Sequence, residues 1–287
     1  MTVSDENLTA ALTDALGAVL AVRRTGSPQA STAQLEDLRV ELADGQVRHL
    51  VLKTGGRDTD REARLYRDVL VGAGLDTPGW VTGGAGWLVL ERVRGAPLWQ
   101  SGDVQDWCVV ARWLRGAHRR LAGWAEQVDP AVGSRWAEQW DRALLRRPEA
   151  AVVATAYQRA VQVIETAPRT LVHGELFPAN ILLAAEGRPC VLDWETAGAG
   201  CALTDLAALT DGWDSAAASL QIASAYGGDL SALPAARLVV AIRWLAEPRP
   251  AAAAGGGRAR WTDWWAAALA AASEVRAHPT PAPAPPP

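Results

Sequence analysis

The stretch LVHGELFPANILLAAEGRPCVLDWE, residues 171–195, constrains the fold of this chain more than any other. Short apolar runs alternate in it with polar turns, which reads as strand-turn-strand. That arrangement brings the residues at its ends, Asn180 and Asp193, near each other. Glu175 stands five residues before Asn180 and eighteen before Asp193.

The chain on either side differs in character. VLAVRR (19–24), LEDLRVEL (35–42) and VRHLVLK (47–53) read as strands, and the last two are joined by the Asp-Gly hairpin signal of ADGQ. Residues 58–75 read as a helix with an N-cap candidate among Asp58, Thr59 and Asp60, and with Gly74 near its end. Two more strands, GWVTG and GWLVLERV, flank a glycine-rich turn, and ERVRG is an extended connector. Beyond it, residues 103–123, 134–147 and 149–166 are alanine-rich and helical, and helices resume after residue 195 as far as about 277. The expectation is an α+β fold in two lobes. Residues 1–93 form a small antiparallel-sheet lobe with one inserted helix, residues 94–277 a larger helical lobe, and the proline-rich tail 278–287 stays unfolded. Residues 247–257, EPRPAAAAGGG, read as a loop inside the helical part.

Of 28 lysines and arginines only one, Lys53, is a lysine. A chain that uses arginine for every other cation keeps lysine where a compact point charge is needed and a planar fork would not fit. Lys53 closes the third strand, and Glu62 follows nine residues later in the first turns of the helix. The pair alone also suits an ordinary surface ion pair. A strand lysine, a helix glutamate, a short connector, an acid-x-x-x-x-Asn loop and a later aspartate together form the parts list of a kinase.

In its ordered motifs the chain resembles the aminoglycoside phosphotransferase and choline kinase family, a branch of the protein-kinase-like fold. The residues that carry the likeness are His173-Gly174-Glu175 with Asn180, Val191-Leu192-Asp193-Trp194-Glu195, and Thr204-Asp205-Leu206-Ala207, supported by ERVRG and by LRGAH at 114–118. The likeness runs from residue 19 to about 215. It implies an ATP- or GTP-dependent transfer of a phosphoryl group to a hydroxyl of a small molecule. Lys53, steadied by Glu62, would neutralise the α- and β-phosphates. Asn180 and Asp193 would hold Mg2+, and Glu175 would orient the acceptor hydroxyl. Glu91 and Val93 in the connector, and Ser27, Ser31 and Thr32 in the turn TGSPQASTAQ, would contact the nucleotide. His173 would orient the loop, Asp205 would brace it, and His118 reads as a packed helix histidine. The alternatives are a nucleotide-binding pseudokinase, in which Glu175 marks a lost base, a metabolic choline- or sugar-kinase-like enzyme, and a helical scaffold without catalysis.

Two positions depart from the family's pattern. Its usual residue at 175 is aspartate, and the extra methylene of glutamate moves the carboxylate on the order of 1 Å. A slightly recessed backbone would restore the reach. The turn at 25–34 has one glycine and is no GxGxxG cradle, so backbone amides and hydroxyls would have to serve.

Composition narrows the partners. The net charge of −4 leaves no nucleic-acid footprint. No apolar run reaches the roughly 18 residues that span a bilayer. The acidic start, MTVSDENLTAALTDAL, is unlike a secretory signal, so a cytoplasmic monomer or homodimer is expected. Cys108, Cys190 and Cys201 form no CxxC pair and read as reduced and structural. Seven acids against six arginines between residues 200 and 277 make no sink for a polycation. The tryptophans at 213, 244, 261, 264 and 265 offer flat apolar faces, mostly for packing. An acceptor of low positive charge is expected, such as a glycosylated or nucleoside antibiotic.

Overall fold

The computed structural model describes residues 3–26, 33–56, 58–131, 150–211, 215–246 and 264–277. Ser27, Ser31, Thr32, the expected helix at 134–147, the loop 247–257, the tail 278–287, Trp213, Trp261 and the Trp264 side chain lie outside the described residues. In chain order the elements are α1 (Asp5–Leu16), β1 (Val19–Gly26), β2 (Gln34–Leu42), β3 (Val47–Thr54), α2 (Thr59–Leu65), β4 (Trp80–Gly84), β5 (Trp87–Glu91), β6 (Ala96–Pro97) and α3 (Val104–Leu121). There follow α4 (Ala150–Thr166), β7 (Arg169–Val172), β8 (Ile181–Leu183), β9 (Pro189–Val191), β10 (Gly198–Cys201), α5 (Ala202–Thr210), α6 (Ala216–Tyr226), α7 (Leu233–Ala246) and α8 (Trp264–Ala277). They group into two compact units, one of residues 1–101 with 179–196, the other of 102–178 with 197–287.

The first unit carries the sheet. Its order is β1-β2-β3-β5-β4, antiparallel throughout. Period-two alternation sends Leu38, Val40 and Leu42 of β2 and Leu50 and Leu52 of β3 to one face, where Leu8 and Leu12 of α1 cover them. The same alternation puts Lys53 on the opposite face of β3, between Leu35 and Leu88 on the neighbouring strands. Asp58 caps α2 by accepting the Arg61 N–H at 2.9 Å. The helix then runs through a π-helical turn, Tyr66–Leu70, to Gly74. A smaller sheet, β6-β8-β9, pairs Ile181 with Val191.

The second unit is helical around one short ribbon, β7 against β10. Asp103 caps α3 by accepting the Gln105 N–H at 2.8 Å. Helix α7 packs against α4, α5 and α8, burying Leu238, Val239 and Ile242. Antiparallel sheet in one unit and helices in the other meet the α+β expectation. No described helix is long and apolar enough to cross a membrane.

Candidate active site

In the first unit a single ammonium faces three carboxylates. Lys53 Nζ lies 2.7 Å from Glu62 Oε2, 2.5 Å from Asp193 Oδ1 and 3.2 Å from Glu195 Oε2. Its hydrogen bond goes to Asp193. The two glutamate oxygens are buried at ion-pair distance without a directed hydrogen bond. Burial works against the charge on Lys53, but the three carboxylates outweigh it and hold the ammonium's pKa above its ordinary value. Burial pushes the Glu62 carboxyl up to about 7, and Lys53 opposes the shift.

Local structure explains why these groups meet. Lys53 ends the middle strand of the five-stranded sheet, and α2 presents Glu62 one turn from its capped end. Glu62 Oε1 accepts the Trp194 N–H at 3.1 Å, which ties α2 to the loop after β9. Asp193 in that loop has φ 64, a left-handed conformation that aspartate tolerates better than most residues. Gly56 (φ 120) passes so close that a Cβ there would lie 2.9 Å from Glu195 Oε2. Asn180 closes the turn Pro178–Asn180, and its carbonyl accepts the Leu192 N–H at 2.8 Å.

These residues fit a hard divalent cation. Glu62, Asp193 and Glu195 each offer a carboxylate oxygen, all within 4.8 Å of one another. The Asp193 side chain is 42% exposed, against 9% or less for Lys53, Glu62 and Glu195, so it alone of the four reaches toward solvent.

The second unit holds the loop that follows β7. Asp205, at the start of α5 and 1% exposed, accepts the His173 N–H at 2.7 Å and the Gly174 N–H at 2.9 Å. It also receives His118 Nε2 at 3.1 Å, while His118 Nδ1 lies 3.0 Å from the Tyr226 hydroxyl. Although burial opposes ionisation, His118, His173 and the backbone N–H donors hold the Asp205 carboxyl below its ordinary value. An ionised carboxylate only accepts, so Nε2 carries a proton and donates to Asp205. His173 Nδ1 accepts the Glu175 N–H at 3.2 Å, folding the loop back on itself. Gly174 sits at φ 84, where a side chain would be strained.

Glu175, half-buried, meets a cation. Arg243 of α7 donates from Nη2 to Glu175 Oε1 at 2.8 Å and from Nη1 to the Gly174 carbonyl. Beside them Phe177 meets Trp244 edge to face with ring centroids 4.7 Å apart.

The structure thus brings Lys53, Glu62 and Asp193 together and places Glu175 in a separately braced loop. Glu91 ends β5 and its exposed side chain pairs with Arg48, while Val93 is half-buried in the connector that follows. Two partners had no separate signal in the sequence. Glu195 stood inside a recognised motif with no role attached, and Arg243 was one arginine among many.

A family model described as a phosphotransferase enzyme family matches residues 29–239. Among curated proteins no match is found. Solved structures agree with the chain over nearly its whole length. The choline kinase LicA from Streptococcus pneumoniae superposes with a TM-score of 0.60 at 16% identity, covering 95% of this chain and 98% of that one. The amicoumacin kinase hAmiN, solved with AMP-PNP, Ca2+ and Ami, gives 0.60 at 13% identity over 96% and 94%. The macrolide 2'-phosphotransferase MphH from Brachybacterium faecium gives 0.53 at 19% identity over 96% and 99%. At these identities the likeness establishes the fold, that of the protein-kinase-like phosphotransferases.

Proposed function

Because the chain belongs to the phosphotransferase enzyme family, we propose that it transfers the terminal phosphoryl group of ATP or GTP to a hydroxyl of a small molecule. The observation that carries this reading is the buried Lys53 with its three carboxylates. One positive charge against three negative ones leaves an excess that a divalent cation would balance. Asp193 and Asn180 would hold Mg2+, with Glu195 and Glu62 behind them. When bound, the ion would supply charge neutralisation at the nucleotide phosphates.

The chain's own groups divide the remaining work. Lys53 offers a compact charge to the nucleotide phosphates, and Glu62 keeps the ammonium in place. Glu91 and Val93 offer backbone groups to the base, and Ser27, Ser31 and Thr32, which lie outside the described residues, offer hydroxyls to the phosphates. Glu175 accepts a hydrogen bond from the acceptor hydroxyl and aims it for in-line attack. Asp205 and His173 hold that loop through its backbone.

The acceptor is read as a hydroxylated compound of low positive charge with an apolar face. The balanced charge of residues 200–277, the Arg243 guanidinium beside Glu175 and the Phe177–Trp244 ring pair support this. The solved relatives named above are called choline, amicoumacin and macrolide phosphorylating proteins, so acceptor chemistry varies on this fold and the choice rests on this chain's residues.

The experiment is a screen of hydroxylated antibiotics, sugars and choline with labelled ATP or GTP and Mg2+, run on wild type, Glu175→Gln and Glu175→Asp. Glu175→Gln should slow transfer about 10²–10⁴-fold and leave nucleotide binding intact. Glu175→Asp should be slower than wild type because its carboxylate stops short. Nucleotide binding without transfer to any acceptor or to water would identify a pseudokinase instead, and no thermal shift with Mg2+ and nucleotide would sink both readings.

A further inference from the structure

Arg243 is 5% exposed and lies 68 residues beyond Glu175 in sequence, on a helix that carries none of the recognised motifs. Its guanidinium grips two adjacent groups of one loop, the Glu175 carboxylate at 2.8 Å and the Gly174 carbonyl. The Arg243 Cζ also lies 5.2 Å from the centroid of the Trp244 ring. A cation kept only to satisfy a buried acid would need one contact. This one fixes the carboxylate relative to the backbone that bears it.

From this geometry we infer that Arg243 is the positioning residue for Glu175. The inference rests on the role of Glu175 proposed above. Glutamate has one more rotatable bond than aspartate, so its head group is the less defined of the two unless something holds it. The planar fork of Arg243 holds Oε1 in a fixed place relative to the loop backbone, so that the carboxylate stays aimed. An aspartate at 175 would withdraw the carboxylate on the order of 1 Å and give up this grip. The longer acid and the arginine are therefore two halves of one device. A lysine at 243 could keep the charge but not both contacts in a fixed geometry.

The test uses hydrolysis of Mg2+-ATP, with water as the acceptor and phosphate release as the readout, so no acceptor need be known. Arg243→Gln, Arg243→Lys, Glu175→Gln and the double variant R243Q/E175Q are compared, with the thermal midpoint checking the fold. Arg243→Gln should lower kcat roughly 10–100-fold with KM for ATP unchanged. Arg243→Lys should recover only a small part. The double variant should be no slower than Glu175→Gln alone, because an arginine that acts through Glu175 has nothing left to position. In Arg243→Ala, added methylguanidinium should restore part of the lost rate. If Arg243→Gln does not fold, the lysine variant paired with Glu175→Gln answers the same question. Independent, multiplying losses in the double variant, or a raised KM for ATP with unchanged kcat, would overturn the inference and leave the reading of Glu175 standing. A Glu175→Gln enzyme as fast as wild type would remove that reading and Arg243's role with it.

Discussion

Replacing Asp205 by asparagine tests the brace of the His173–Glu175 loop without changing side-chain volume. Three donors converge on the carboxylate, the N–H groups of His173 and Gly174 and the Nε2 of His118, at 2.7, 2.9 and 3.1 Å. An amide has one acceptor oxygen, and its NH2 must face at least one of those donors. One buried donor is then orphaned, at about 1–3 kcal/mol, and the surviving bonds lose their charge assistance. Together the loss should be about 3–5 kcal/mol, the range found when one partner of a buried charge network is removed. Urea unfolding reads it as a lower midpoint with an unchanged m-value. The pH dependence gives a second signature. The folded-state pKa of Asp205 lies below 3.8, so its contribution is present above that value and is lost as pH falls through the folded pKa. The asparagine variant should lack this acid limb. A loss under about 1 kcal/mol, or an unchanged acid limb, would refute the account of Asp205 as the loop's anchor.

Three further outcomes follow from the first unit. Lys53→Arg should lower phosphoryl transfer at least about 10²-fold despite keeping the charge, because the fork cannot sit among Glu62, Asp193 and Glu195; near-normal turnover would remove the argument for the lone lysine. The Glu62 pKa is raised in the folded state, so its favourable contribution is whole below 4.5 and is lost as pH rises through about 7. Without divalent metal the thermal midpoint should fall across that window by up to about 3 kcal/mol in stability, and Glu62→Gln should flatten the slope. Gly56→Ala should destabilise by about 1–2 kcal/mol through its positive φ and should push Glu195 away from Lys53, visible as a weaker thermal response to Mg2+ and nucleotide.

Much of the fold was legible because its signals are local. Asp44-Gly45 announced the β2–β3 turn, the start of α2 falls at Asp58, one of the three N-cap candidates, and the apolar runs at 35–42 and 47–53 marked β2 and β3. The ordered motif residues were legible for a chemical reason, since few residue types can hold phosphate, metal and hydroxyl. What stayed hidden depends on pairing across distance. Nothing in a chain rich in arginine singles out Arg243 until α7 is seen beside the loop after β7. Glu195 was visible as a letter in VLDWE, but its ion pair with Lys53 spans 142 residues and needs the sheet to exist first. The π-helical turn at Tyr66–Leu70 leaves no trace either, because Glu62, Leu65, Tyr66, Val69 and Leu70 make the same buried stripe as an ordinary helix.

The left-handed backbone at Asp193 filters substitutions at that position before chemistry does. Most side chains would carry a penalty of about 1–2 kcal/mol there, whereas asparagine and glycine would fold almost freely. A library at residue 193 ranked by stability alone would therefore place Asp, Asn and Gly at the top, with no nucleotide or metal present. Glutamate, which this chain already carries at φ 63 at position 186, would rank below asparagine but above the β-branched residues. Folding by itself would hold this position within reach of a metal ligand, so a lineage that stopped using the site would go on displaying an intact-looking residue 193 long after Lys53 had drifted to arginine.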